Sequence, residues 1–125
     1  MNQVLAIAAG GAIGAVMRFG VSSAVYGWLG RGFPWGTLAV NLLGSLAMGF
    51  LSVFMLERLA LGSEWRAFVL VGLLGAFTTF STFSIETLTL VQEALYGRAL
   101  LNVLVSVTAC VVAAFAGVIL ARQIG

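Results

Sequence analysis

Between residues 72 and 86 the chain reads Gly-Leu-Leu-Gly-Ala-Phe-Thr-Thr-Phe-Ser-Thr-Phe-Ser-Ile-Glu, which places five hydroxyls (Thr78, Thr79, Ser81, Thr82, Ser84) within seven apolar-flanked positions. Glycine followed by such a run suggests a helix that breaks partway, its freed carbonyls and amides satisfied by hydroxyls, by a partner chain or by an ion. Carbonyls released at such a break face cations, as in the broken helices of transporters. Phe80 and Phe83 lie three apart and share a face if the backbone there is helical. The edge of an aromatic ring carries the positive part of its quadrupole. Ring edges combined with O–H and N–H donors could therefore hold a partly dehydrated anion, and weakly enough for it to leave, because no full positive charge is present.

Other polar residues fall at helical spacings. Thr37, Asn41, Ser45 and Ser52 are separated by four, four and seven residues, with Gly44 and Gly49 close by. Ser and Thr can bond to their own backbone carbonyls, whereas the Asn41 amide has two donors that need partners in apolar surroundings. Asn102, Ser106 and Cys110 follow one another at four-residue steps, and helix packing and an ion pathway explain them equally well. Gly10, Gly11, Gly14 and Ala15 supply small residues four apart that let another helix approach. Arg18, one turn later, costs a few kcal/mol near the middle of a membrane span unless it snorkels or finds partners.

These residues sit in a chain that must be membrane-embedded. Apolar residues make up 62% of its 125 positions and charged residues 8%, against about 25% charged in soluble domains. A helix needs about 20 residues to cross the hydrocarbon core. The charges act as punctuation, and the apolar runs between them predict helices over about 4–28, 35–56, 67–95 and 100–121. The expected fold is an all-α membrane protein of four transmembrane helices in a single domain, 1–125, with the third helix broken mid-membrane. The first segment lacks a basic start and is too long for a cleaved signal peptide, so it reads as a retained helix. Cys110 reads as a small apolar filler. The net charge of +2 comes from arginines on loops and helix ends and gives no indication of a nucleic-acid partner.

Four helices put both termini on one side. Arg58, Arg66 and Arg122 then lie on one side and Arg31 and Arg98 on the other, joined by Arg18 if its head reaches that end. A count of three against three gives the positive-inside rule little to act on. The plainer reading is that a weak bias or the insertion machinery still picks one orientation; the sharper one is dual topology, whose natural assembly is an antiparallel homodimer closed by a two-fold axis in the membrane plane.

The stretches Gly10-Gly11-Ala12-Ile13-Gly14-Ala15-Val16-Met17-Arg18, Gly36-Thr37-Leu38-Ala39-Val40-Asn41 and Gly75 through Glu86 closely resemble the Fluc (CrcB) fluoride-channel family, in length and helix count as well as motif. The resemblance implies a dual-topology homodimer with two antiparallel pores, exporting fluoride from the cytoplasm of a bacterium across its inner membrane by passive flow, and no enzymatic activity. It implies that Asn41 is a pore hydrogen-bond donor, that Phe80 and Phe83 flank the ion, and that Ser81 and Thr82 add hydroxyls. Carbonyls of Gly75 and Thr78 would hold a structural Na+ that is not transported. Arg18 would frame the pore mouth, and Glu86 would lie beside the pathway with Thr37, Asn102 and Ser106 as weaker candidates. Members of the family often have a tyrosine leading the hydroxyl track on the fourth helix, where this sequence has Asn102.

Two other classes compete. A small proton-coupled multidrug exporter needs a carboxylate in the first helix, and none is there. A non-transporting subunit would explain the glycines but not the hydroxyl run.

Overall fold

A computed structural model describes residues 2–59 and 62–124, together with every side chain between them except that of Arg58, one of the arginines counted above. All regular structure in these residues is helical. Among the described residues four helices are long and apolar enough to cross a membrane: Asn2–Leu29, Trp35–Glu57, Ser63–Gln92 and Tyr96–Ile124. The protein is a multi-pass membrane protein.

We label the helices α1 (Asn2–Leu29), α2 (Trp35–Val53), α3 (63–77), α4 (Phe80–Gln92) and α5 (Tyr96–Ile124). α1 ends at Gly30, whose φ of +82° suits a residue without a Cβ; its N–H bonds to the Tyr26 carbonyl at 2.8 Å. Pro34, which cannot donate, precedes α2 and accepts from Leu38 N–H at 3.0 Å. α2 runs on into a π-helical turn, Phe54–Arg58, and most of α3 is wound the same way, over Ala67–Leu74. Nothing in the hydropathy of these stretches distinguishes π from α winding.

Three helix ends differ by a few residues from those the charges predict. The third segment starts at Ser63, because Glu64 and Arg66 sit within its first turn and do not stop it. It ends at Gln92, not near 95, in a turn where Ala94 takes a φ of +62°. α5 begins at Tyr96 and carries Gly97 and Arg98 in its first turn. A charged residue at a membrane surface is compatible with helix, so charge marks the water boundary and not the end of the hydrogen-bond ladder.

Packing relies on small residues. α1 lies along α3, and α2 along α5. A Cβ on Gly14 would collide with the Leu73 carbonyl, and one on Gly10 with that of Phe68. On the other seam a Cβ on Gly49 would strike the Ala114 carbonyl, and one on Gly117 that of Leu46. Such backbone-to-backbone contact is how helices associate where burial of apolar surface supplies no driving force. The large apolar residues point outward instead, Phe19 at 72% exposure and Phe115 at 66%.

Candidate functional site

The third segment is interrupted at Thr78 and Thr79, which adopt extended conformations (φ −89°, ψ 160° and φ −152°, ψ 124°). The local sequence supplies its own supports. Thr78 sends both its N–H and its hydroxyl to the Leu74 carbonyl, each at 3.1 Å, finishing α3. Thr79 opens α4 as a helix cap, its hydroxyl accepting from Thr82 N–H at 3.1 Å. Asn41, projecting from α2, clasps the extended residue from both sides. Its Nδ2 donates to the Thr79 carbonyl at 2.9 Å, and its Oδ1 accepts from Thr79 N–H at 2.7 Å. Arg18 reaches from α1 to donate its Nε to the Ala76 carbonyl at 3.0 Å, a cation at the negative end of α3. No described residue donates to the carbonyls of Gly75 or Thr78: the N–H of Thr78 goes to Leu74, that of Thr79 to Asn41, and that of Thr82 to the Thr79 hydroxyl.

The interruption therefore sets two unlike helix ends side by side. α3 ends in carbonyls beyond its helical ladder, partial negative charge, one of them met by Arg18; α4 starts with N–H groups outside its own ladder, partial positive charge, one of them met by the Thr79 hydroxyl. Phe80 and Phe83 lie on that first turn of α4, their ring centroids 5.4 Å apart and the planes inclined by 40°. They meet very different surroundings: Phe83 is 9% exposed, Phe80 76%.

A cavity of about 420 Å³ lies beside the interruption, walled by Asn41, Thr78, Phe80, Phe83, Ser106 and Cys110 among others. The structure thus brings together residues from three sequence segments, 41–48, 78–83 and 106–114. It does not bring in all the candidates. Ser81 is exposed, its hydroxyl 3.4 Å from that of Thr79, and Thr82 is half-buried; neither lines this cavity, nor do Gly75, Arg18, Thr37, Glu86 and Asn102.

Glu86 is gathered into a separate cluster. Tyr26 of α1 donates its hydroxyl to Glu86 Oε2 at 2.7 Å, and Thr37 of α2 to Oε1 at 2.5 Å, with 3.3 Å between the two hydroxyl oxygens. The Arg31 guanidinium lies 4.4 Å from the centre of the Tyr26 ring, a cation–π contact. Asn102 is 1% exposed. Its Nδ2 donates to Thr87 Oγ1 at 2.8 Å, and its Oδ1 accepts from Ser106 Oγ at 3.2 Å.

Sequence reasoning overlooked Tyr26, Thr79 as the clasped residue, and Thr87. Tyr26 had a signal: it is one of two tyrosines, it sits two turns beyond Arg18, and a buried phenol needs a partner. Thr87 had a weaker one, a hydroxyl four residues after Phe83.

With this geometry in hand, the relatives of the chain are informative. Residues 5–118 match the family described as CrcB-like protein, Camphor Resistance (CrcB). A protein of Methylococcus capsulatus named Fluoride-specific ion channel FluC is 59% identical over 122 residues, covering 98% of this chain and 54% of its own length. The chain thus spans about half of that relative. A protein of Magnetococcus marinus with the same name is 57% identical, covering 98% of this chain and 99% of its own. One of Hydrogenovibrio crunogenus, also so named, is 47% identical over 97% of this chain and 92% of its own. The motifs around Arg18, Asn41 and Phe80 thus lie inside a resemblance that runs almost from end to end, and the chain belongs to the CrcB (FluC) family.

Proposed function

We propose that this chain is a fluoride-selective channel, and not an enzyme, that lets cytoplasmic fluoride leave a bacterial cell across its inner membrane by passive electrodiffusion. The observation that carries the reading is the 57% identity, across nearly the whole of both chains, with a protein named Fluoride-specific ion channel. Hydrogen fluoride enters as a neutral acid and dissociates inside, trapping the anion. A potential of about 100 mV, negative inside, is worth about 2.3 kcal/mol per charge, about fifty-fold in the outward direction.

The physical chemistry of the interruption supports this use. The amide end of α4, with Phe80 and Phe83 on its first turn, offers donors and ring edges to an anion without a full charge to trap it. Asn41 is the pore donor in this reading, its amide fixed beside the cavity by Thr79. Ser81 and Thr82 supply hydroxyls from the same turn, Arg18 frames the mouth, and Glu86 flanks the pathway with Thr37. In this reading the interruption sits mid-membrane, where irregular backbone is tolerated only inside protein or along a cavity.

The working unit is an antiparallel, dual-topology homodimer. The balanced arginines support it, as does Phe80, a large apolar ring 76% exposed in the single chain at the edge of the cavity. A structural Na+ fits the same picture. The carbonyls of Gly75 and Thr78 are hard oxygen ligands at the negative end of α3 to which no described residue donates. Two oxygens per chain leave a shell incomplete, so a second copy would share the ion. When bound it supplies a fixed positive charge.

Liposomes loaded with potassium fluoride and given valinomycin test the reading, with an electrode following release beside a chloride control. Rapid loss of fluoride without chloride, slowed by Phe80→Ile, is the expected result. A correctly folded dimer that releases neither ion in the presence of sodium would overturn it in favour of a non-transporting subunit.

A further inference from the structure

Behind the cavity wall runs a chain of hydrogen bonds that the pathway itself does not use. Ser106 Oγ donates to Asn102 Oδ1 at 3.2 Å, Asn102 Nδ2 donates to Thr87 Oγ1 at 2.8 Å, and Thr87 Oγ1 donates to the Phe83 carbonyl at 2.8 Å. Its two ends, Ser106 on α5 and Phe83 on α4, both line the cavity; its middle members do not. Asn102 is among the most deeply enclosed side chains of the described residues, at 1% exposure. An amide so placed in a membrane helix has few ways to satisfy its donors and acceptor, which makes the geometry around it specific.

We propose that Asn102 is a positioning residue that sets ion selectivity: it braces the Phe83 turn through Thr87 and fixes the direction in which the Ser106 hydroxyl donates. The inference rests on the channel reading above. A serine has one hydroxyl proton. With that proton given to Asn102, Ser106 turns only lone pairs toward the cavity, and lone pairs repel an anion. Selectivity is then left to the donors and ring edges at the α4 end, on the turn whose Phe83 carbonyl is tethered to Asn102 through Thr87. Loss of the Asn102 amide has two consequences together. It frees the Ser106 proton to solvate any anion that enters, and it loosens the Phe83 turn from α5, widening the space for a larger halide. The wider space favours chloride relative to fluoride; the freed hydroxyl, which solvates the smaller anion more strongly, offsets only part of that change.

The test measures fluoride and chloride release from liposomes for wild type, Asn102→Leu, Thr87→Val, Thr87→Ser and the double variant of Asn102→Leu with Thr87→Val. We expect the fluoride-to-chloride rate ratio to fall about ten-fold in Asn102→Leu and to fall in Thr87→Val. Thr87→Ser keeps the hydroxyl and the wild-type ratio. The double variant loses no more than Asn102→Leu alone, because both changes cut one chain. A residue that merely packs would lower the melting temperature of the detergent-purified dimer while the ratio held. An unchanged ratio in folded Asn102→Leu, or in Thr87→Val should the first variant not fold, overturns the proposal. Failure of the channel reading shows differently: wild type itself would release no fluoride, and the inference would fall with it.

Discussion

The two pieces of the third segment, α3 and α4, are held in place by different physics. α3 is fixed by shape: Gly10 and Gly14 of α1 press against the carbonyls of Phe68 and Leu73, and Gly72 returns the contact on Ile7. α4 touches fewer neighbours and is fixed by specific polar bonds, from Asn41 to Thr79, from Tyr26 and Thr37 to Glu86, and from Asn102 to Thr87. A shape-locked helix tolerates no added atom, whereas a helix held by a few hydrogen bonds can be retuned one bond at a time. The half with Phe80 and Phe83 is the one of the second kind. Substrate discrimination can thus vary in α4 while the seam on α1 carries the fold.

Substitutions on the two sides should separate accordingly. The largest effect is expected from Gly14→Val, which drives a branched side chain into the Leu73 carbonyl and costs about 3 kcal/mol or more; size-exclusion chromatography in detergent should show most of the protein aggregated. Asn41→Ala leaves the N–H and carbonyl of Thr79 without partners, at about 1–3 kcal/mol for each group left unsatisfied. Here a monodisperse protein with fluoride efflux slowed at least about ten-fold is expected, and wild-type efflux would show that the clasp is dispensable. Tyr26→Phe removes the phenol from Glu86 and should lower stability by about 1–2 kcal/mol in a thermal melt, with the fold retained. Smallest is Ser84→Ala: that hydroxyl bonds only its own turn, at the Phe80 carbonyl, so stability should stay within about 0.5 kcal/mol and efflux should match wild type. If Ser84→Ala did as much harm as Asn41→Ala, the distinction between the two kinds of bond would collapse.

Much of the frame was legible in the residues because a membrane leaves few choices. Apolar length between charges predicts the four helices, and small residues at four-residue spacing predict the α1 seam. Asn41 stood out because an amide in an apolar helix needs partners, yet its partner, the backbone of Thr79, could not be read: a main-chain group leaves no mark on residue type. Phe80 and Phe83 look alike in sequence. Their contrast in burial arises from how α4 rests on α5, which is a tertiary fact. Tyr26 and Glu86 are 60 positions apart, and their pairing depends on how α1 and α4 meet beside Thr37 of α2. The wide winding of 67–74 had no compositional cue at all.

The clasp at Thr79 also has a consequence in time. A ribosome delivers Asn41 to the membrane 38 residues before Thr79. For that interval α2 is a span carrying an amide whose native partner has not yet been made, a deficit on the order of one unsatisfied hydrogen-bonding group, about 1–3 kcal/mol. The deficit is removed when the third segment follows. Neither piece of that segment reaches the roughly 20 residues of a full crossing on its own, although together they form one 30-residue apolar stretch. The Asn41–Thr79 pairing therefore forms only once the second and third spans are both in the bilayer, and it satisfies the amide of one with the backbone of the other.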